Sequence, residues 1–137
     1  FKNEEFIAAY PEMIFTENIE DIYKNANYIS LHVPHTPQSE KLINEDVIFN
    51  KLKKNPIIVN TARGMLIDVD AVIKGLESGS IKGYLTDVLA VEPIQDNEKL
   101  KGVKNVIITP HVGSRTYQSV VRQGTMAVQN LLDLLGE

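Results

Sequence analysis

Ile57-Ile58-Val59-Asn60-Thr61-Ala62-Arg63-Gly64 decides how the chain is read. Its first four residues are a continuous apolar run closed by one polar residue, with Asn55-Pro56 standing in front as a break. A run that short, bounded by breakers, reads as a strand buried on both faces, the kind found in parallel sheets. Residues 65–86 have the pattern of a crossover to a second parallel strand. Asp68 is a helix N-cap. Val69, Val72, Ile73 and Leu76 recur on one helical face, and Gly79 stands where a helix ends. Residues 83–86 (GYLT) then read as the next strand.

The same alternation extends outward in both directions. Upstream, 28–32 (YISLH) reads as a strand ended by Pro34 and Pro37, and 19–25 as a helix capped by Thr16 or Asn18. Glu17, Glu20 and Asp21 suit that helix's N-terminus. A short strand is predicted at 13–15. Asn44 caps a further helix, with Glu45 and Asp46 in its first turn and Lys51, Lys53 and Lys54 in its last. Downstream, 106–109 (VIIT) reads as the last strand, stopped by Pro110. A long helix from about Thr116 closes the chain. Its apolar face is Tyr117, Val120, Val121, Val128, Leu131, Leu132 and Leu135, with Gly124 open to close packing. Short apolar runs alternating with helical stretches define an α/β domain around a mostly parallel sheet.

Composition narrows the function. With 137 residues, 43% apolar and 23% charged, the chain is one ordinary globular domain; disorder, collagen and coiled coil are disfavoured. A net charge of −4 and a pI near 5.4 argue against a nucleic-acid-binding surface. The absence of cysteine rules out disulfides and thiolate metal sites, and no metal-ligand cluster is read from the remaining residues. No apolar run reaches the roughly 18 residues of a membrane span, and the N-terminus is not a signal peptide; a cytoplasmic protein is expected.

In open parallel sheets ligands bind beyond the carboxyl ends of the strands. Thr61, Ala62, Arg63 and Gly64 follow IIVN. Asp87, then Glu92-Pro93, follow GYLT. Pro110, His111, Val112 and Gly113 follow VIIT. Three strand ends thus deliver a guanidinium, two carboxylates and an imidazole to one edge. Arg63 offers a planar fork suited to a carboxylate. His111 can give or take a proton near neutral pH. Glu92, if it reaches His111, favours the imidazolium and holds the ring. Asp87 can accept hydrogen bonds from an amide. Taken singly, each has an ordinary reading: a solvated arginine, a loop carboxylate before proline, a structural histidine, a carboxylate capping a turn. His32 reads as packed or locally hydrogen-bonded, and His35 as an exposed loop residue. No G-x-G-x-x-G occurs; Gly75, Gly79 and Gly83 mark a helix end and a strand start.

The segments LHVPHTPQSEKLIN (31–44), IIVNTARGMLID (57–68), LTDVLAVEP (85–93) and VIITPHVGS (106–114) together resemble the NAD-binding domain of the D-isomer-specific 2-hydroxyacid dehydrogenases, which include D-3-phosphoglycerate dehydrogenase. The resemblance runs from about Phe15 to the C-terminus. It implies a partial Rossmann-like, doubly wound parallel sheet, the nicotinamide-side half of a cofactor domain. In that family a substrate-binding domain and a glycine-rich first βα unit come in addition. Residues 1–137, beginning at Phe1, are therefore expected to be a fragment that lacks both and is inactive alone. The implied activity of the parent is hydride transfer between NAD(H) and a 2-hydroxy acid/2-keto acid pair. Family members commonly form homodimers, and some relatives act as corepressors. An NAD(H)-sensing interaction module is accordingly the alternative reading.

By the same resemblance Arg63 orients the substrate, His111 is the general acid/base and Glu92 is its paired acid. Asp87 binds the nicotinamide carboxamide. Val33, Thr61, Ala62, Gly113 and Ser114 contact the cofactor beside Arg63 and His111. Position 33 is Val where some members have Thr, so a contact there runs through backbone.

Overall fold

The computed structural model describes residues 4–136. In chain order these form α1 (Glu4–Ala9), α2 (Ile19–Asn25), β1 (Tyr28–Leu31), a π-helical turn (Val47–Lys51), β2 (Ile57–Asn60), a 3-10 turn (Gly64–Leu66), α3 (Val69–Ser78), β3 (Gly83–Thr86), β4 (Val106–Ile108) and α4 (Tyr117–Leu135). The four strands are parallel and lie in the order β1-β2-β3-β4. The order never reverses, so these residues make one wing of the expected doubly wound sheet.

The local signals act where they were read. Asn18 accepts the Glu20 N–H at 3.1 Å and starts α2, while Thr16 accepts the Asn18 N–H. Asp68 accepts the Ala71 N–H and starts α3. Gly79 ends α3 in the left-handed conformation, φ 76°. Gly75 differs from its reading: it lies inside α3, where a Cβ would come within 2.7 Å of Ile48, so it lets the helix approach the π-helical turn.

Register places Ile29, Ile58, Tyr84 and Val106 in one row across the sheet, and Leu31, Asn60, Thr86 and Ile108 in the next. On this face α2, the π-helical turn and α3 supply Tyr23, Val47, Ile48, Ala71 and Val72 to a core with Ile43, Leu66 and Ile81. The opposite face is not closed to the same degree. Tyr28 and Ile107 are exposed, and Ile57, Val59 and Leu85 are half-buried. The expectation of a strand buried on both faces thus holds for one face only, because α2 and α3 pack on one side and α4 contributes no buried residue.

Three further readings are corrected. Residues 13–15 form no strand: a strand needs a ladder partner, and Ile14 is exposed with none. The helix after Asn44 is short and wide, because the Leu52 N–H reaches back five residues to the Val47 carbonyl. It ends at Lys51, leaving Lys53 and Lys54 outside. The last strand stops at Ile108, one residue early, as 28–32 does at Leu31. The apolar face read for the last helix is present in α4 but exposed except at the half-buried Leu132, and among the described residues nothing lies within 4 Å of a Cβ built on Gly124. Helix α1 was not read from the sequence; it is six residues long and buries none of them.

Candidate active site

β2 delivers its loop around a buried amide. Asn60, fully buried at the strand end, accepts the Ala62 N–H on Oδ1 at 3.1 Å and donates Nδ2 to the Arg63 carbonyl at 2.9 Å. The loop therefore folds back on the side chain that precedes it, as in an Asx-turn. Arg63 itself is exposed and donates one N–H to the Ala62 carbonyl, at 2.6 Å. Among the described residues it makes no ion pair, so most of its five donors remain for a ligand. Gly64 closes the loop against the next one. A Cβ there would lie 2.1 Å from the Leu89 carbonyl carbon and 2.2 Å from the Ala90 nitrogen, so no side chain fits.

β3 delivers Asp87, which is 8% exposed. Its Oδ1 accepts the Thr109 hydroxyl and the Val112 N–H, and its Oδ2 accepts the Gly113 N–H at 2.8 Å. Burial pushes this carboxyl up, but the hydrogen bonds from Thr109, Gly113 and Val112 outweigh it and hold Asp87 below the usual carboxylate range. The carboxylate thereby pins the loop after β4 on both sides of Pro110-His111. That loop needs pinning: His111 has φ 55°, a left-handed conformation unfavourable for a residue with a side chain.

Beyond Asp87 the chain turns through Glu92, whose peptide to Pro93 is cis. Glu92 Oε1 accepts the Leu89 N–H at 2.8 Å, and its Oε2 lies 2.7 Å from His111 Nδ1. The hydrogen bond from His111, then the one from the Leu89 amide, lower the Glu92 pKa. Glu92 is therefore an anion at neutral pH, and His111 donates Nδ1–H to it. Nε2 is left for a ligand.

Two adjoining clefts, of about 460 and 660 Å³, run along the strand ends. Val33, Thr61, Ala62 and Arg63 line the first. Thr61 and Arg63 also line the second, with Asp87, His111, Gly113 and Ser114. Glu92 lies on the far side of the imidazole, lining a third hollow with His111. Every residue singled out from the sequence thus stands at one edge. His32 bonds Ser30 at 2.8 Å and His35 lines the first cleft. Sequence reading missed Asn60 and Thr109, which shape the loops, and placed Gly64 after the strand without its packing role. It also missed Ser119, Arg122 and Gln123 on α4, which line the second cleft. Asn60 read only as a strand end, and the α4 residues lay off the apolar face that drew the helix.

Comparison with known proteins identifies the family. Residues 2–113 match the model of the family described as D-isomer specific 2-hydroxyacid dehydrogenase, NAD binding domain. A glyoxylate reductase of Thermofilum pendens is 36% identical over 125 residues, covering 91% of this chain and 36% of the relative. A D-3-phosphoglycerate dehydrogenase of Methanocaldococcus jannaschii is 40% identical over 119 residues, covering 87% of this chain and 22% of the relative. The NAD-complexed crystal structure of a D-isomer specific 2-hydroxyacid dehydrogenase from Lactobacillus delbrueckii ssp. bulgaricus superposes with a TM-score of 0.80. It is 31% identical, over 99% of this chain and 44% of that one.

The match covers most of the chain, and the chain belongs to the family of NAD-binding domains of the D-isomer specific 2-hydroxyacid dehydrogenases. It spans under half the length of these relatives.

Proposed function

We propose that the complete polypeptide carrying this chain is an NAD-dependent dehydrogenase that interconverts a 2-hydroxy acid and its 2-oxo acid. The observation that carries the reading is that His111, held by Glu92 at 2.7 Å, lines one cleft with the Arg63 guanidinium, which makes no ion pair among the described residues.

The residues present fit the nicotinamide end of NAD. Asp87 Oδ2 takes a single hydrogen bond from the protein and keeps a lone pair for a carboxamide N–H. Gly113 leaves open the strip where a Cβ would press within 3.0 Å of that oxygen. Val33, Thr61, Ala62 and Ser114 line the remaining walls. Bound there, the nicotinamide supplies or receives the hydride. Arg63 holds the substrate carboxylate by its fork and polarises the neighbouring carbonyl. His111, protonated and supported by the Glu92 anion, gives its Nε2 proton to the carbonyl oxygen in reduction. In oxidation the neutral ring takes the hydroxyl proton.

Residues 1–137 contain no G-x-G-x-x-G, and the isolated chain is expected to be inactive. The same resemblance carries a homodimer in the cytoplasm, tested by light scattering and by cell fractionation. The direct test is the absorbance change of NADH with a panel of 2-oxo acids and the complete polypeptide. Turnover of at least one acid is expected. NADH binding without turnover of any acid would overturn the reading and favour a cofactor sensor.

A further inference from the structure

Asn60 occupies a position where the sheet asks for an apolar side chain. Its row across the sheet holds Leu31 and Ile108 beside Thr86, and Ile58 precedes it on the same face. It is 0% exposed, and a buried amide is costly unless every polar atom is matched. All its polar atoms are matched, and the two shortest of its side-chain bonds go to the loop that carries Arg63: Ala62 N–H to Oδ1, and Nδ2 to the Arg63 carbonyl. The remaining side-chain contact, 3.4 Å, is to the buried Tyr84 hydroxyl. Its main chain faces the other way in function. The Asn60 carbonyl accepts the Asp87 N–H at 3.0 Å and the Thr86 hydroxyl at 3.2 Å. Asp87 in turn holds the Val112 and Gly113 amides beside His111. One residue thus ties the guanidinium loop by its side chain and the imidazole loop, through Asp87, by its backbone.

We infer that Asn60 is a positioning residue: its amide sets the Arg63 guanidinium relative to His111, so that carboxylate and carbonyl of one small acid are gripped together. The inference rests on the reading of Arg63 as the partner of the substrate carboxylate. A positional error of this kind affects the reacting substrate rather than cofactor affinity.

The experiment is a double-mutant cycle in the complete polypeptide, with Asn60→Ala and Arg63→Ala singly and together. It reads kcat/KM for the best 2-oxo acid and the Kd for NADH. Asn60→Ala is expected to lower kcat/KM about tenfold or more with Arg63 present, and less than about twofold in the Arg63→Ala background. NADH affinity stays within about twofold throughout. The same fold-loss in both backgrounds, or no loss in either, overturns the inference while leaving the role of Arg63 intact. An Arg63→Ala protein as active as the parent overturns the reading beneath it instead.

Asn60→Asp serves where the alanine variant fails to fold. It keeps the acceptor for Ala62 but can donate to the Arg63 carbonyl only when protonated. Its kcat/KM relative to the unaltered protein rises as pH falls; a ratio that does not change with pH overturns the inference.

Discussion

The loops after β2, β3 and β4 and the helix α4 border one cleft, but they are held by different means. The loops are fixed by buried polar groups: Asn60 under Arg63, Asp87 under His111, and the side-chain-free Gly64 pressed on Leu89 and Ala90. α4 buries no residue. Leu131, Leu134 and Val128 are 56–85% exposed, and its cleft-lining Gln123 is tied to the loops by one long bond to the Ser114 carbonyl, 3.3 Å. The relation of Arg63, Glu92 and His111 is therefore written within these residues, whereas the setting of Ser119, Arg122 and Gln123 depends on a helix the chain does not pack.

The largest effect expected on the loop side is from His111→Ala in the complete polypeptide. It lowers kcat by about 10²–10⁴-fold with NADH affinity within about twofold, read by steady-state rates and fluorescence titration. A kcat unchanged by the substitution would remove His111 from proton transfer. Next, Asp87→Ala leaves the Val112 and Gly113 amides and the Thr109 hydroxyl without their acceptor. It should cost roughly 2–4 kcal/mol of stability, measured by denaturant unfolding; a cost near zero would mean the loop is held by something else. Glu92→Gln keeps a hydrogen bond to His111 but removes the anion that supports the ring, and should lower reduction kcat about tenfold; an unchanged kcat in steady-state rates would contradict that role.

A smaller effect concerns pH. Asp87 and Glu92 both titrate below their ordinary range in the folded chain. Their stabilisation is full above the unfolded carboxylate values, about 4, and is lost as pH falls through the lower folded values. The His111 loop should loosen on the acid side and not on the alkaline side, visible in the NMR shifts of the Val112 and Gly113 amides. Movement of those amides only on the alkaline side would contradict the assignment. On the α4 side the expected effect is the smallest. Leu134→Ala in the 137-residue chain should change stability by less than about 0.5 kcal/mol, against about 2–5 kcal/mol for truncating the buried Ile58.

The same contrast explains what the sequence reveals. β2, β3, α2 and α3 are legible to the residue because local chemistry settles them: breakers around short apolar runs, Asn18 and Asp68 as caps, Gly79 as a stop. Residues 13–15 mislead because an apolar triplet becomes a strand only beside a partner. The π-helical turn eludes reading because an i+5 bond leaves no mark in an apolar pattern of one turn and a half. At the site, the residue types at three strand ends are legible. What Asp87 grips, and that Asn60 serves the loop rather than the core, depends on strands 22 to 26 residues apart meeting in register.

The most direct measurement is a crystal structure of the complete polypeptide with NAD(H) and oxamate, a stable mimic of a 2-oxo acid. The account predicts the oxamate carboxylate on the Arg63 guanidinium and its carbonyl oxygen within hydrogen-bond reach of His111 Nε2, with Glu92 still on Nδ1. Oxamate bound away from Arg63, or His111 turned from it toward another partner, would contradict the account.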